Sequence, residues 1–247
     1  MRTQDISASN HAGWKTALDV ILAPNAAFER LRAAPTWFWA FLIAAALGII
    51  GSLLVAPAFD HYVTSGGYQA ELAKSPRFAQ LTAEQRDKAI ASAVGFVRIA
   101  QKFNVVIVPI SILVVALIQA LVMLIASAIA KGKGTFGSLW AAAMNVAIVG
   151  GGLYAVVNGI IIMIHGSDNF TSTTDFTSAV PSLGMLVPTA AAKLHAFFAA
   201  FHVFSLWAAV LLVIAMQKTA LMGRGPAIVT AALMLIVTGI FATFSAN

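Results

Sequence analysis

Between Asn104 and Ala130 the chain runs for 27 residues without a charge, NVVIVPISILVVALIQALVMLIASAIA, and only Asn104, Ser111, Gln119 and Ser127 are polar. As a helix this run is about 40 Å long at ~1.5 Å per residue, more than the ~30 Å that a bilayer core requires. A soluble core helix of that length needs an unusually large protein around it. Only 247 residues are available, 60% of them hydrophobic, with a mean hydropathy of +0.89. The run therefore predicts a helix that crosses a membrane.

Four further apolar segments follow from the same criterion. Trp37–Ala58 is uncharged and opens with the interfacial aromatics Trp37 and Trp39. Ser138–Ile164 is the third span in order, Ala190–Gln217 the fourth, and the fifth runs from Pro226 to about Phe244. Two spans carry small residues at helical spacing, which lets a neighbouring backbone come close. Ala44, Gly48 and Ser52 recur every four residues, and Ser138, Asn145, Gly152 and Gly159 every seven.

The segments outside the spans are polar. Met1–Asn10 is expected to fray. In Gly13–Ala23, Trp14, Leu18, Ile21 and Leu22 share one helix face, and Pro24 opens a second short helix in which Phe28 and Leu31 share an apolar side. Both fit helices lying in the membrane interface, with a soluble helical hairpin as the alternative. Asp60–Phe103 is a polar insertion with turn formers at Ser65-Gly66-Gly67 and Ser75-Pro76. Thr82 and Gln85 form a capping-box signature for a helix that runs into the Asn104 span and bends near Pro109. His165–Thr189 is expected to be a loop.

The expected fold is thus all-α: a polytopic bundle of five transmembrane helices behind short N-terminal interfacial helices. Residues 1–36 form the N-terminal segment, and 37–247 the membrane domain, with its insertion at 60–103. Orientation follows from Lys and Arg in the short flanking segments. With the N-terminus inside, inner segments hold Arg2, Lys15, Arg30, Arg32, Lys131, Lys133, Lys218 and Arg224, against Lys193 outside once the internally paired insertion is set aside. The N-terminus is expected in the cytoplasm and the C-terminus outside it, and the first 36 residues show no secretory signal pattern.

Chemistry is sparse. The absence of cysteine removes disulfides, thiolate metal sites and Cys nucleophiles. The net charge of +6 is spread between apolar runs and not gathered on one face, which argues against nucleic-acid binding. The central stretches of the spans hold no Asp, Glu, Lys or Arg, which weakens an ion-coupled transporter. Gly150-Gly151-Gly152 lacks the Lys-Ser/Thr of a phosphate loop, and no hydrolase or metalloprotease signature is present. Asn169-Phe170-Thr171 matches a glycosylation sequon, which matters only in a eukaryotic secretory compartment. The candidate intramembrane polar cluster is Gln119, Asn145, Asn158, His195 and His202. The two histidines are seven residues apart on one helix, about 10 Å along its axis, too far to share a metal. Interhelical hydrogen bonding is their expected role, and a ligand-lining role the alternative. No catalytic, cofactor or metal site is expected.

The segment DVILAPNAAFERLRAAPTWFWA resembles the start of the Yip family, multi-spanning proteins named for interacting with Ypt/Rab-type GTPases. TAEQRDKAI, GKGTFGSLW and FHVFSLW resemble its bacterial branch, so that the similarity covers most of Leu18–Phe244. The residues that carry it most sharply are Pro24, Phe28, Phe204 and Trp207. The resemblance implies five spans and a cytoplasmic N-terminus, in the inner membrane of a bacterium. The sequence departs from the family at His202, where an acidic residue is usual, and its N-terminal region is too short to carry over Rab binding. These readings favour a non-enzymatic scaffold, adaptor or membrane-organising protein that contacts lipids and a protein partner or itself. The alternative is a small-solute or lipid permease, or a transporter's membrane subunit, lined by Gln119, Asn145, Asn158 and His202. A membrane enzyme using the insertion ranks third.

Overall fold

The computed structural model describes residues 3–75, 78, 80–187 and 191–244, with side chains described from Gly13 onward except at Thr174 and Ser178. The chain is helical: α1 Thr3–Leu22, α2 Pro24–Ala33, α3 Phe38–Thr64, α4 Gly67–Lys74, α5 Ala83–Lys102 and α6 Asn104–Ile129. Next come α7 Phe136–Ala147, a π-helical turn Ile148–Leu153, and α8 Tyr154–His165, which together make one helix of 30 residues. Then follow α9 Thr173–Ser178, α10 Ala192–Ala199, α11 Val203–Thr219 and α12 Arg224–Phe244. Among the described residues there is no strand, only an isolated antiparallel bridge between Ser182 and His202.

Among the described residues four helices are long and apolar enough to cross a membrane: Phe38–Thr64, Asn104–Ile129, Phe136–His165 and Arg224–Phe244. The segment expected as a continuous fourth span is interrupted, and its start at Ala190 lies outside the described residues. α10 ends at Ala199, and α11 is a separate apolar helix of 17 residues. The interruption coincides with contacts from an upstream segment. The amide of Leu183 donates to the Phe201 carbonyl at 3.2 Å, and Ser182 pairs with His202, so this stretch of backbone bonds sideways.

The residues divide into two compact units, one formed by 1–48, 109–154 and 203–238, the other by 49–108, 155–202 and 239–247. In the first, α2 packs on α11 and α7, and α1 on α2. Phe28 and Leu31, which the sequence places on a lipid-facing side of α2, are instead fully buried in protein with Ala27, Met123, Leu139 and Met144. Covering the two side chains is worth ~1.5–3 kcal/mol each relative to leaving them in water. α1 starts at Thr3, well before the expected Gly13, and buries Ala17 and Val20, while Trp14, Leu18 and Leu22 stay exposed at i, i+4 and i+8.

The second unit has an aromatic core of Tyr62, Phe170 and Phe176 with Ala58, Val63 and Ile162. Val94 and Val97 of α5 pack on it. α5 starts at a capping box, Thr82 with Gln85, and stops at Phe103, whose amide reaches the Ala100 carbonyl at 3.1 Å. The break before α6 is therefore at Phe103, and Pro109 lies inside α6. The helix continues past that proline. The expected turn at Ser75-Pro76 extends beyond the described residues. The expected loop after His165 holds 3₁₀ turns at Ser167–Asn169 and Leu183–Leu186, and α9, which Ser172 and Asp175 cap reciprocally.

Candidate functional site

Two in-span amides, Asn145 and Asn158, are spent on backbone carbonyls. Asn145 is 1% exposed, and its Nδ2 donates to the Ala141 carbonyl at 2.8 Å and to that of Thr36 at 3.3 Å, just ahead of α3. Asn158 donates from Nδ2 to the Phe176 carbonyl in α9 at 3.0 Å. Each thus fastens a non-spanning stretch of chain to the long Phe136–His165 helix. Their Oδ1 atoms are buried without a partner among the described residues, a condition that costs about 1–3 kcal/mol per acceptor.

Gln119 and Asn145 belong to the first unit, and Asn158, His195 and His202 to the second. His195 is half-buried in α10, whereas His202 sits in the bridge after that helix has ended. The two do not share one helix face, because the chain leaves helical geometry between them.

The small residues make close helix contacts. A Cβ added at Gly152 would stand 3.1 Å from Leu47 Cβ and 3.4 Å from Ala44 Cα. In the second unit a Cβ on Gly159 would come within 2.9 Å of the Gly51 carbonyl oxygen, and one on Gly51 within 2.4 Å of the Ala155 backbone. Within the second unit, positions rise together along both helices (Gly51 with Ala155, Leu54 with Gly159), so α3 and the long helix run parallel there. Ser52 returns its hydroxyl to the Ile49 carbonyl at 2.8 Å, and Gly48 is buried. Ser138 is a capping residue: its amide donates to Thr135 Oγ1 at 3.3 Å, and its Oγ accepts from the Thr135 amide at 3.2 Å.

A carboxylate not singled out from the sequence completes the second unit. Glu71 accepts from the Thr173 amide at 2.9 Å, the Thr173 hydroxyl at 2.6 Å and the Tyr62 hydroxyl. Burial raises its pKa, but the Thr173 and Tyr62 hydrogen bonds outweigh that and hold the carboxyl below its usual range. Burial, with the Glu71 charge adding to it, raises the neighbouring Tyr68 phenol. Nothing local in GYQAELAK marks the acid as half-buried, because one of its partners, Thr173, is 102 residues away. Beside this core lies a half-open cleft of about 240 Å³ lined chiefly by the apolar side chains of Leu53, Leu54, Pro57, Ala58, Ile162 and Met163.

The Yip1 domain model matches residues 18–246. The chain belongs to the Yip1 domain family. Membrane protein YknW of Bacillus subtilis (strain 168) is similar to it, 28% identical over 226 residues that cover 92% of this chain and 87% of that protein. No solved structure matches. The Yip1 match takes in the four residues that carry the resemblance. Pro24 opens α2, and Phe28 is fully buried. Phe204 meets Tyr154 edge-on with ring centroids 6.3 Å apart, and Trp207 is 37% exposed at the surface of α11.

Proposed function

We propose that this Yip1-domain membrane protein is a non-enzymatic scaffold or adaptor, built to hold a fixed helical surface in the bilayer for a protein neighbour or a second copy. What supports the reading most is the use of the buried amides. Asn145 and Asn158 tie the chain before α3 and the α9 segment to the long helix, which makes them structural staples. The proposed topology has five crossings, with the α10–α11 segment as a discontinuous one. The parallel course of α3 and the long helix requires α6 to return between them, which fits that count. The positive-inside bias of Lys15, Arg32, Lys131, Lys133 and Arg224 supports a cytoplasmic N-terminus and an outer C-terminus in a bacterial inner membrane. The exposed stripe of α1, Trp14, Leu18 and Leu22, is then the part of the N-terminal segment that meets the lipid interface.

Photo-crosslinkers on the outer face of α6, at Val114, Ile118 and Ile125, test the scaffold reading in the native membrane. It predicts an adduct of one discrete protein mass. Lipid adducts alone from all three positions contradict it. A second reading, a small-solute or lipid permease, draws on the free Oδ1 atoms of Asn145 and Asn158. It predicts that Asn145→Leu and Asn158→Leu abolish solute leak in proteoliposomes and leave the melting temperature unchanged. The staple reading predicts the reverse.

A further inference from the structure

Two turns of the first unit are locked together and hold exposed cations. α6 ends with the amides of Lys131 and Gly132 bonded back to the carbonyls of Ala128 and Ser127, at 3.3 and 2.7 Å. That closure puts Lys131 at φ 54°, in the left-handed region where glycine is the usual choice. Glycine stands one residue later. A Cβ on Gly132 would lie 2.6 Å from Ser127 Oγ and 2.8 Å from the Ala220 carbonyl oxygen. The Lys133 amide then donates to that Ala220 carbonyl at 2.6 Å, and the Gly134 amide to the buried Ser127 Oγ at 3.3 Å. The facing turn carries its own left-handed residue, Leu221, at φ 53°. Each of the two bonded turns thus holds a non-glycine residue in the left-handed region, a strain that fixes their backbone.

The charge around these turns is unbalanced. Glu29 is paired with Lys218 at 2.7 Å, and Asp19 with Arg30. Lys131, Lys133 and Arg224 are exposed and have no carboxylate within ion-pair distance among the described residues. Apolar side chains set the depth. Ile125 and Ile129 are exposed at the end of α6, Phe136 at the start of α7, and Leu221 at the tip of the facing turn. Phe136 stacks on Trp140, and Trp140 meets Trp37 edge-on at 5.9 Å, an aromatic layer of the kind that sits at headgroup level.

We propose that the paired turns 131–134 and 220–224 form a preorganised seat for the phosphodiester headgroup of an anionic phospholipid, with Lys131 and Lys133 on the phosphate, Arg224 beside them, and Leu221 and Phe136 against the acyl chains. The partner is a lipid because the cations border exposed apolar side chains and an aromatic layer, not open water. The seat is independent of the scaffold reading and needs only that this end of the molecule lie at a bilayer surface.

The test uses the full-length protein in nanodiscs of equal phosphatidylcholine and phosphatidylglycerol, with native mass spectrometry counting the lipids that stay bound on release. The wild type is expected to retain phosphatidylglycerol in preference, and the Lys131→Gln, Lys133→Gln double variant to lose roughly tenfold of that preference. Lys15→Gln with Arg32→Gln removes as much charge elsewhere and is expected to keep it. Lys131→Gly separates seat from scaffolding, since it relieves the backbone while removing the cation. Retention is expected to fall while the melting temperature holds or rises. Gly132→Ala keeps every cation but forces the turns apart, and is expected to lower retention too. Undiminished phosphatidylglycerol retention in the double variant, in Lys131→Gly or in Gly132→Ala overturns the proposal, as does an equal loss in the Lys15, Arg32 control.

Discussion

At Gly51 a methyl group would have to occupy the space of the Ala155 backbone, 2.4 Å away, and neither helix can move aside alone. Gly51→Ala is therefore expected to destabilise by roughly 1–3 kcal/mol, the range for overpacked sites. Gly151→Ala, where nothing lies within 4 Å of the added carbon, stays within ~0.5 kcal/mol of wild type. Thermal melts in one detergent compare the two. The small-residue pattern Ala44, Gly48, Ser52 on α3 steps by four, and four residues overshoot a helical turn by about 40°. The contacting residues, Ala44, Leu47, Gly51 and Leu54, step by three and four, as packed helices require.

Glu71 gives the residue scale its pH dependence. Its folded pKa is depressed, so its contribution to stability is complete above the unfolded carboxyl's ordinary value and is lost as pH falls through the lower folded value. Melting temperature should hold through neutral pH and drop in acid. Glu71→Gln should flatten that acid limb while lowering the neutral melting temperature, since an amide nitrogen would then face hydroxyl or amide donors. An acid limb unchanged in Glu71→Gln would contradict the assignment.

At the scale of elements, legibility followed how local each cause is. The uncharged run of α6 and the Thr82–Gln85 capping box lie in the sequence itself, and both are in the structure. Two more boxes, Thr135 with Ser138 and Ser172 with Asp175, use shorter third-position side chains, which makes the signal in the sequence fainter. Each is expected to matter: Thr135→Ala or Ser172→Ala should cost about 1 kcal/mol in a melt, the usual loss for a helix cap. The break between α10 and α11 was not legible. AFFAAFHVF contains neither Gly nor Pro, and the residues that end the helix, Ser182 and Leu183, lie far upstream. The buried side of α2 was hidden for the same reason. An apolar stripe states that something covers it, not whether lipid or α11 does.

Over the whole molecule, large apolar side chains stand exposed along α6 (Val114, Ile118, Leu121, Ile125) and α12 (Leu233, Ile236, Val237, Ile240). In water such faces would drive aggregation; in lipid they cost nothing, and helix packing falls to close van der Waals contact at small residues. A chain without cysteine makes the topology directly measurable. Single cysteines at Lys133, Ser167 and Thr243 can be labelled in intact cells with a membrane-impermeant maleimide. If the Phe136–His165 helix crosses the bilayer and the C-terminus lies outside, Ser167→Cys and Thr243→Cys label directly, and Lys133→Cys only after permeabilisation. Labelling of Lys133→Cys and Ser167→Cys from the same side would contradict it.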